Sequence, residues 1–555
     1  NIRYKDKVLD DLSNFKNFIL SCIDKGPIDM SKLISLYKNI HSCLHVKANS
    51  DDLDITAWTY ALNRLPINTI ETYIFVLLTQ PPRLLSLSDD LAVDFLPKIP
   101  TNARNRDCYK YLEGKNVLIV REMETDVLDF VSNICIHYIE STKLRMLLSS
   151  PITINKIYQA KDDFNATLQA LMTTTGISIN EIEADILKQV FGNKFSSKLI
   201  NLCLNYQDIS ITIAKDIQTD KDPIENWIQN LWNVTRELLG VNSSLDEIDD
   251  LVVDIIQGSK KTLLSCISPH MYKHKDEILK WANANDVKLQ TTEFYNENDK
   301  LIAYSYYYYL AHPDKAKEAE KMDEEHGIVT IKRTFGTGVK VLVINVNKLD
   351  GNNIDPNLKF KAASKNHIIL HLGYTFGAQA HHIIKPLLML FGSKARSMNI
   401  TGKAGALIGN RTDILLVNKI FHDKTHDVVE VNYGNLSIEE LQKSAHCDLY
   451  VGPMLTVAGT ILQNTDLLNF YKHVMGCIGL EMEGYYYARE IENSIKHGLL
   501  REDFISRFFY YSSDLPLDPE QNLSKESANV SWDEGIGSMN AIQRFIFKEI
   551  FRECN

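Results

Sequence analysis

Two acidic segments near the C-terminus carry residue types that bond-breaking chemistry uses. The first reads Gly479-Leu-Glu481-Met482-Glu483-Gly484; thirty-one residues beyond Glu483, the second reads Tyr511-Ser-Ser-Asp514-Leu-Pro-Leu-Asp518-Pro519. A carboxylate offers two oxygens and can accept hydrogen bonds from neighbouring hydroxyls of a sugar. A second carboxyl, buried where a strand breaks into a turn, is raised in pKa and can pass a proton to a leaving group. Glu481, Met482 and Glu483 are therefore candidate substrate contacts, and Asp514 is the candidate general acid. Each has a structural alternative: acids favour helix N-termini, and Asp caps turns.

Glycine-rich turns stand upstream of this pair. Leu370-His-Leu-Gly373-Tyr-Thr-Phe-Gly377 follows an apolar run and precedes a helical stretch, His381 to Leu390. Such a strand-to-helix turn lets a ligand approach the backbone and favours an anion at the helix start. Thr401-Gly402-Lys-Ala-Gly405-Ala-Leu-Ile-Gly409-Asn-Arg411 is a second small-residue segment, and Tyr450-Val-Gly452-Pro-Met-Leu-Thr456 a third. Gly373, Gly402, Gly405 and Thr456 are candidate ligand contacts. Lys394, Arg396, Lys403 and Arg411 fall close together in an acidic chain, and Arg411 is the candidate phosphate contact because its guanidinium can bind two oxygens at once. Neither the dinucleotide spacing Gly-x-Gly-x-x-Gly nor a Walker loop occurs at these turns. Thr425-His426-Asp427 is no triad, since adjacent side chains diverge. His381-His382 lacks zincin spacing.

These residues need elements to hold them. Residues 1–257 show apolar positions at three- and four-residue steps, and the reading is a mainly helical region, including the apolar run Tyr73–Leu78; Val117–Val120 is a short strand. From 258 onward, apolar runs alternate with helical stretches. Strands are expected at Thr262–Ile267, Val339–Val346, His367–Leu372, Asp413–Val417, Cys447–Val451 and Phe508–Ser512, and the run Tyr306–Tyr309 is read as a strand with one buried face. Asp314–Glu325 reads as a solvated charged helix. Continuous apolar runs separated by helices imply an α/β domain over 258–555, with a mixed, mostly parallel sheet flanked by helices.

Composition limits the classes. The 555 residues are 45% hydrophobic and 24% charged, with a net charge of −11, which argues against nucleic acid as a partner. Nine dispersed cysteines suggest reduced thiols in a cytoplasmic protein, and no Cys/His cluster suggests a metal. No run approaches the ~20 apolar residues of a membrane helix. No cofactor is expected.

In their order, the motifs Thr401-Gly-Lys-Ala-Gly405, Met482-Glu483 and Ser513-Asp514 resemble the nucleoside phosphorylase and nucleosidase superfamily. The likeness covers roughly residues 365–550. Asp514-Leu-Pro516-Leu517 with Ala528-Asn529 further resembles AMP nucleosidases. The resemblance implies a nucleoside phosphorylase-like fold, ribose contact by Met482-Glu483, proton donation to a purine by Asp514, and a homo-oligomer. The function it implies is hydrolysis of a purine nucleotide's N-glycosidic bond, AMP giving adenine and ribose 5-phosphate. One alternative is a phosphorylase that takes inorganic phosphate. Another is a catalytically weak nucleotide sensor coupled to the N-terminal region, since Lys403 stands where that family carries a small residue.

Overall fold

A computed structural model describes residues 2–78, 96–104, 106–214, 223–242, 244, 247–289, 297–331, 339–359, 362–445, 447–523 and 535–552. The Ala528-Asn529 pair lies outside them. The chain forms two compact units. The first comprises residues 1–220 with the excursions 458–470 and 516–529, and the second holds the remainder. The division falls near residue 220 rather than 257.

The first unit is not purely helical. It contains a five-stranded sheet of β1 (Ile74–Leu78), β2 (Lys98–Ile99), β3 (Asp107–Leu112), β4 (Lys115–Ile119) and β5 (Ser210–Ala214), in the order β2-β3-β4-β1-β5. β1 runs parallel to both β4 and β5. The apolar run at 73–78 is thus a strand and not a core helix. Central parallel strands are covered on both faces and lose the alternation that would reveal them. The buried helix Thr125–Leu148 packs on this core through Val127, Phe130, Val131 and Ile134.

The second unit carries β6 (Leu251–Gln257), β7 (Ile328–Ile331), β8 (Val341–Asn345), β9 (Asn366–Leu372), β10 (Ala395–Ala406), β11 (Ile414–His422), β12 (Val428–Glu430), β13 (Leu449–Thr456), β14 (Gly479–Glu481) and β15 (Ile505–Asp514). The order is β12-β11-β13-β14-β10-β6-β9-β8-β7, with β15 joining β10 and β11. The strands β10, β15, β11, β13 and β14 therefore close on one another in a ring. The class is mixed α/β. The sheet is parallel through β9-β6-β10-β15, but β7-β8, β8-β9, β10-β14, β11-β12 and β11-β15 are antiparallel, so it is less parallel than the apolar runs suggest.

Alternation sends side chains to two cores. Val253 and Ile255 of β6 enter one with Ile368, Leu370 and Phe508, beneath the helices Gln379–Phe391 and Gly484–Lys496. Ile256 enters the other with Ile369, Phe509 and Phe545 of the helix Ile536–Arg552. Each fully buried Leu, Ile or Phe contributes about 1.5–3 kcal/mol.

Two further expectations fail. Thr262–Ile267 belongs to the helix Lys260–Ile267, whose start is capped by Ser259 accepting from the Thr262 N–H at 3.3 Å. Tyr306–Tyr309 lie in the helix Glu297–Ala311. The charged segment does form a helix, Pro313–Glu325.

Candidate functional site

The acidic residues sit where the strand ring meets the helix Gly484–Lys496. β14 ends at Glu481, and the helix begins three residues later at Gly484, with Glu483 at its N-cap. The free N–H groups of that first turn need acceptors. Glu481 supplies them: one oxygen accepts from the N–H of Glu483 at 2.7 Å and of Gly484 at 2.5 Å. Its other oxygen accepts from the Thr456 hydroxyl, which in turn accepts from the Tyr485 N–H at 2.9 Å. Tyr510 adds its hydroxyl at 3.4 Å. Burial pushes the Glu481 carboxyl upward in pKa, and the Thr456 and backbone donors work against that rise. Both oxygens are held by protein groups, so Glu481 and Thr456 tie β13, β14 and the helix together.

Glu483 points elsewhere. Its Oε1 accepts from the N–H of Gly377 at 3.0 Å, which joins the turn after β9 to the start of the helix. Gly377 has φ +55°, a conformation that β-carbon-bearing residues rarely adopt. The same turn is fixed by Thr375, whose hydroxyl meets that of the buried Tyr487 at 2.7 Å. Tyr374 is 49% exposed, yet shelter of its hydroxyl, and then the Glu483 charge, push it up to about 12. Phe376 and Met482 are buried. Gly373 closes the end of β9 against β8, its N–H donating to the Lys340 carbonyl at 2.8 Å.

Asp514 ends β15 and is 5% exposed. Ser513 donates its hydroxyl to Asp514 Oδ1 at 2.8 Å. Across the ladder Asp514 pairs with Gly405, after a register shift at Ala404, and Gly405 also pairs with Leu480 on its other side. Two strand spacings of ~4.8 Å put Asp514 and Leu480 about 10 Å apart, with Glu483 three residues further on. Small residues are required here by strand crossing: a Cβ on Gly479 would lie 2.9 Å from the Gly405 carbonyl oxygen. At Gly402, a Cβ would meet the Tyr510 ring at 3.1 Å, so that position makes room for an aromatic side chain.

The basic cluster divides. Lys394 donates to the Ile248 carbonyl at 2.7 Å. Arg396 grips buried Asp254 through Nε at 3.1 Å and Nη2 at 2.5 Å. Both lie at the start of β10, and Lys403 lies seven residues beyond Arg396. At ~3.3 Å per residue an extended strand separates them by more than 20 Å. Lys403 is exposed, its Nζ 5.8 Å from the Tyr511 ring centre. Arg411 sits in the turn between β10 and β11. There the Thr412 N–H donates to the Ser512 carbonyl at 2.8 Å, two residues before Asp514. Asp427 accepts from the Tyr485 hydroxyl at 2.8 Å and pairs with Arg489, which gives the Thr425–Asp427 segment a packing role. Among the described residues, no His, Cys, Asp or Glu group is arranged to hold a metal ion, and no helix is long and apolar enough to cross a membrane. No disulfide joins the eight cysteines among the described residues.

Tyr510 and Ser513 were not anticipated as site residues. The signal for Ser513 was its adjacency to Asp514; for Tyr510 it was the strand alternation that places it opposite Gly402.

Residues 30–552 match the model of a family of unknown function, DUF6909. The chain belongs to that family. No curated protein matches the sequence of this DUF6909 protein. Solved structures show a faint likeness. A 5′-methylthioadenosine/S-adenosylhomocysteine nucleosidase from Helicobacter pylori is 13% identical, with 55% of this chain and 100% of that one covered and a TM-score of 0.31. The corresponding Campylobacter jejuni nucleosidase is 12% identical, covering 54% and 99%, with a TM-score of 0.31. A futalosine hydrolase mutant from Helicobacter pylori is 13% identical, covering 52% and 98%, with a TM-score of 0.28. Scores this low leave the chemistry to be argued from the residues themselves.

Proposed function

We propose that the second unit of this DUF6909 protein hydrolyses the N-glycosidic bond of a purine nucleotide, with AMP giving adenine and ribose 5-phosphate. The observation that carries the reading is the placement of two carboxyls about one strand position. Asp514 and the β14–helix junction bearing Glu483 flank Gly405 from opposite sides. Glu483, oriented by the Gly377 N–H, accepts from the ribose hydroxyls, with Met482 packed beside the sugar. Asp514 donates a proton to N7 of the base. Ser513 Oγ lies 2.8 Å from its Oδ1 and orients the carboxyl. Protonation turns the departing purine into a neutral leaving group, and the sugar passes through an oxocarbenium-like state that water captures at the anomeric carbon. Arg411, on the turn against the end of β15, takes the 5′-phosphate. The chain acts as a homo-oligomer in the cytoplasm. Incubation with AMP, adenosine and inosine, with and without inorganic phosphate, followed by chromatography of free base, tests the reading. Adenine from AMP without phosphate is the expected result. Phosphate-dependent release with ribose 1-phosphate, or nucleotide binding with no base released, would overturn it.

A further inference from the structure

Away from the acidic pair, the second unit has a half-open cavity of about 390 Å³ between the helices Lys260–Ile267, Pro269–Lys273, Glu297–Ala311 and Pro313–Glu325. A volume of this order suits a small-molecule ligand. Its body is apolar, walled by Leu264, Met271 and Ile302, with Tyr306 and Tyr309 on successive turns of one helix. Charges of both signs also line it, Lys261 and Glu320 where it is exposed and the more sheltered Lys260 and Asp323. Lys260 donates to the Thr330 hydroxyl at 3.3 Å. Asp323 is 6% exposed, and its carboxylate accepts one hydrogen bond among the described residues, from Ser268 at 2.7 Å. No ion pair within 4 Å joins Lys260 and Asp323 to each other or to another described residue. Burial lowers the lysine's pKa and raises that of Asp323 to about 6, the directions expected for charges that lack a close counter-ion.

Sheltered charges that remain unpaired are costly, and a ligand carrying both signs would pair each of them. An α-amino acid presents an ammonium and a carboxylate on one carbon and an apolar side chain beyond it. We propose that this cavity binds a free α-amino acid with an apolar side chain, its carboxylate on Lys260 and its ammonium on Asp323, with the side chain against Leu264, Met271 and the tyrosines. The site is independent of the nucleotide chemistry.

Calorimetric titration of the full chain with L-leucine and L-phenylalanine is the test. Saturable binding at one site per chain is expected. N-acetylphenylalanine and phenethylamine, each lacking one charge, should bind on the order of tenfold or more weakly, the scale of one lost charge-assisted hydrogen bond. Asp323→Asn and Lys260→Met should weaken binding comparably, and Ala319→Phe, which fills the cavity, should abolish it, with circular dichroism checking the fold. Absence of binding by either amino acid overturns the proposal. So does phenethylamine or N-acetylphenylalanine binding as tightly as phenylalanine, a result read on the wild-type chain whatever the variants do.

Discussion

Replacing Asp514 by Asn separates a proton donor from a residue that merely holds the strand end. The side chain is 5% exposed, and its Oδ1 already accepts from Ser513 at 2.8 Å. An amide oxygen can keep that bond while the amide nitrogen takes the place of Oδ2, so size and packing change little. What disappears is the transferable proton. General acid catalysis is worth about 10²–10⁴ in rate, or roughly 3–5.5 kcal/mol at ~1.4 kcal/mol per tenfold. The turnover of AMP by Asp514→Asn should fall by that factor. A 7-methylated purine nucleotide needs no such proton, because its base already carries the positive charge and departs neutral. Its turnover should differ between wild type and variant by no more than a few-fold. Base release would be followed by chromatography on both substrates. Full activity of the variant on AMP refutes the assignment, and so does an equal loss on both substrates, which would mean a disturbed site and not a missing acid.

Glu483→Gln keeps an acceptor for the Gly377 N–H but trades charged hydrogen bonds to the ribose for neutral ones. That costs about 1–2 kcal/mol of binding, so KM for AMP should rise by roughly tenfold, and an unchanged KM would remove Glu483 from the sugar. Glu481→Ala strands the Glu483 and Gly484 N–H groups and the Thr456 hydroxyl in the interior at about 1–3 kcal/mol each; scanning calorimetry should show a clear fall in the unfolding midpoint, and an unaltered midpoint contradicts the network. Because burial raises the Glu481 pKa, its contribution to stability is full below the ordinary carboxylate range and declines as pH rises through the raised value. Glu481→Gln should flatten that segment of the stability–pH curve, and a curve of unchanged shape would assign the slope to other groups. Asp254→Asn leaves the partly buried Arg396 without its counter-charge in the interior and should destabilise the chain by about 3 kcal/mol in denaturant titration, whereas a loss below ~1 kcal/mol would mean solvent screens the pair.

The elements that the sequence reveals are those with a decisive local signal. The helix Gln379–Phe391 follows glycines and spaces its apolar residues at 3.6, and β9 and β15 are built around the apolar runs Ile368–Leu370 and Phe508–Tyr511. The misread elements are short. Ile74–Leu78 and Thr262–Ile267 are both five- or six-residue apolar runs, one a strand and one a helix, and periodicity cannot separate them at that length. The deciding residue for the second is Ser259, an N-cap three residues before the run. For Tyr306–Tyr309, aromatic strand preference argued the wrong way. Their helix extends fifteen residues, long enough for tertiary contacts on several of its turns to outweigh propensity.

Within the acidic pair, two residues of spacing separate two different roles. Glu481 closes β14 and turns inward to its own chain, because the helix that follows exposes N–H groups needing an acceptor in a place water does not reach. Glu483, two residues later, stands at the helix start and reaches across to Gly377. No local rule distinguishes the two, since both are acids at a helix N-terminus. The distinction follows from which strand each carboxylate meets, Thr456 on β13 for one and the turn after β9 for the other. The basic residues obey the same logic in reverse. Arg396 and Lys403 are neighbours in sequence, yet a single extended strand carries them to opposite ends, and Asp254 claims the first. Nearness along the chain predicts a shared site in a turn or helix, and predicts separation in a strand. Of the four cations in that stretch, two therefore stay near the end of β15: Lys403, opposite Tyr511 on the neighbouring strand, and Arg411, carried by the turn that meets Ser512.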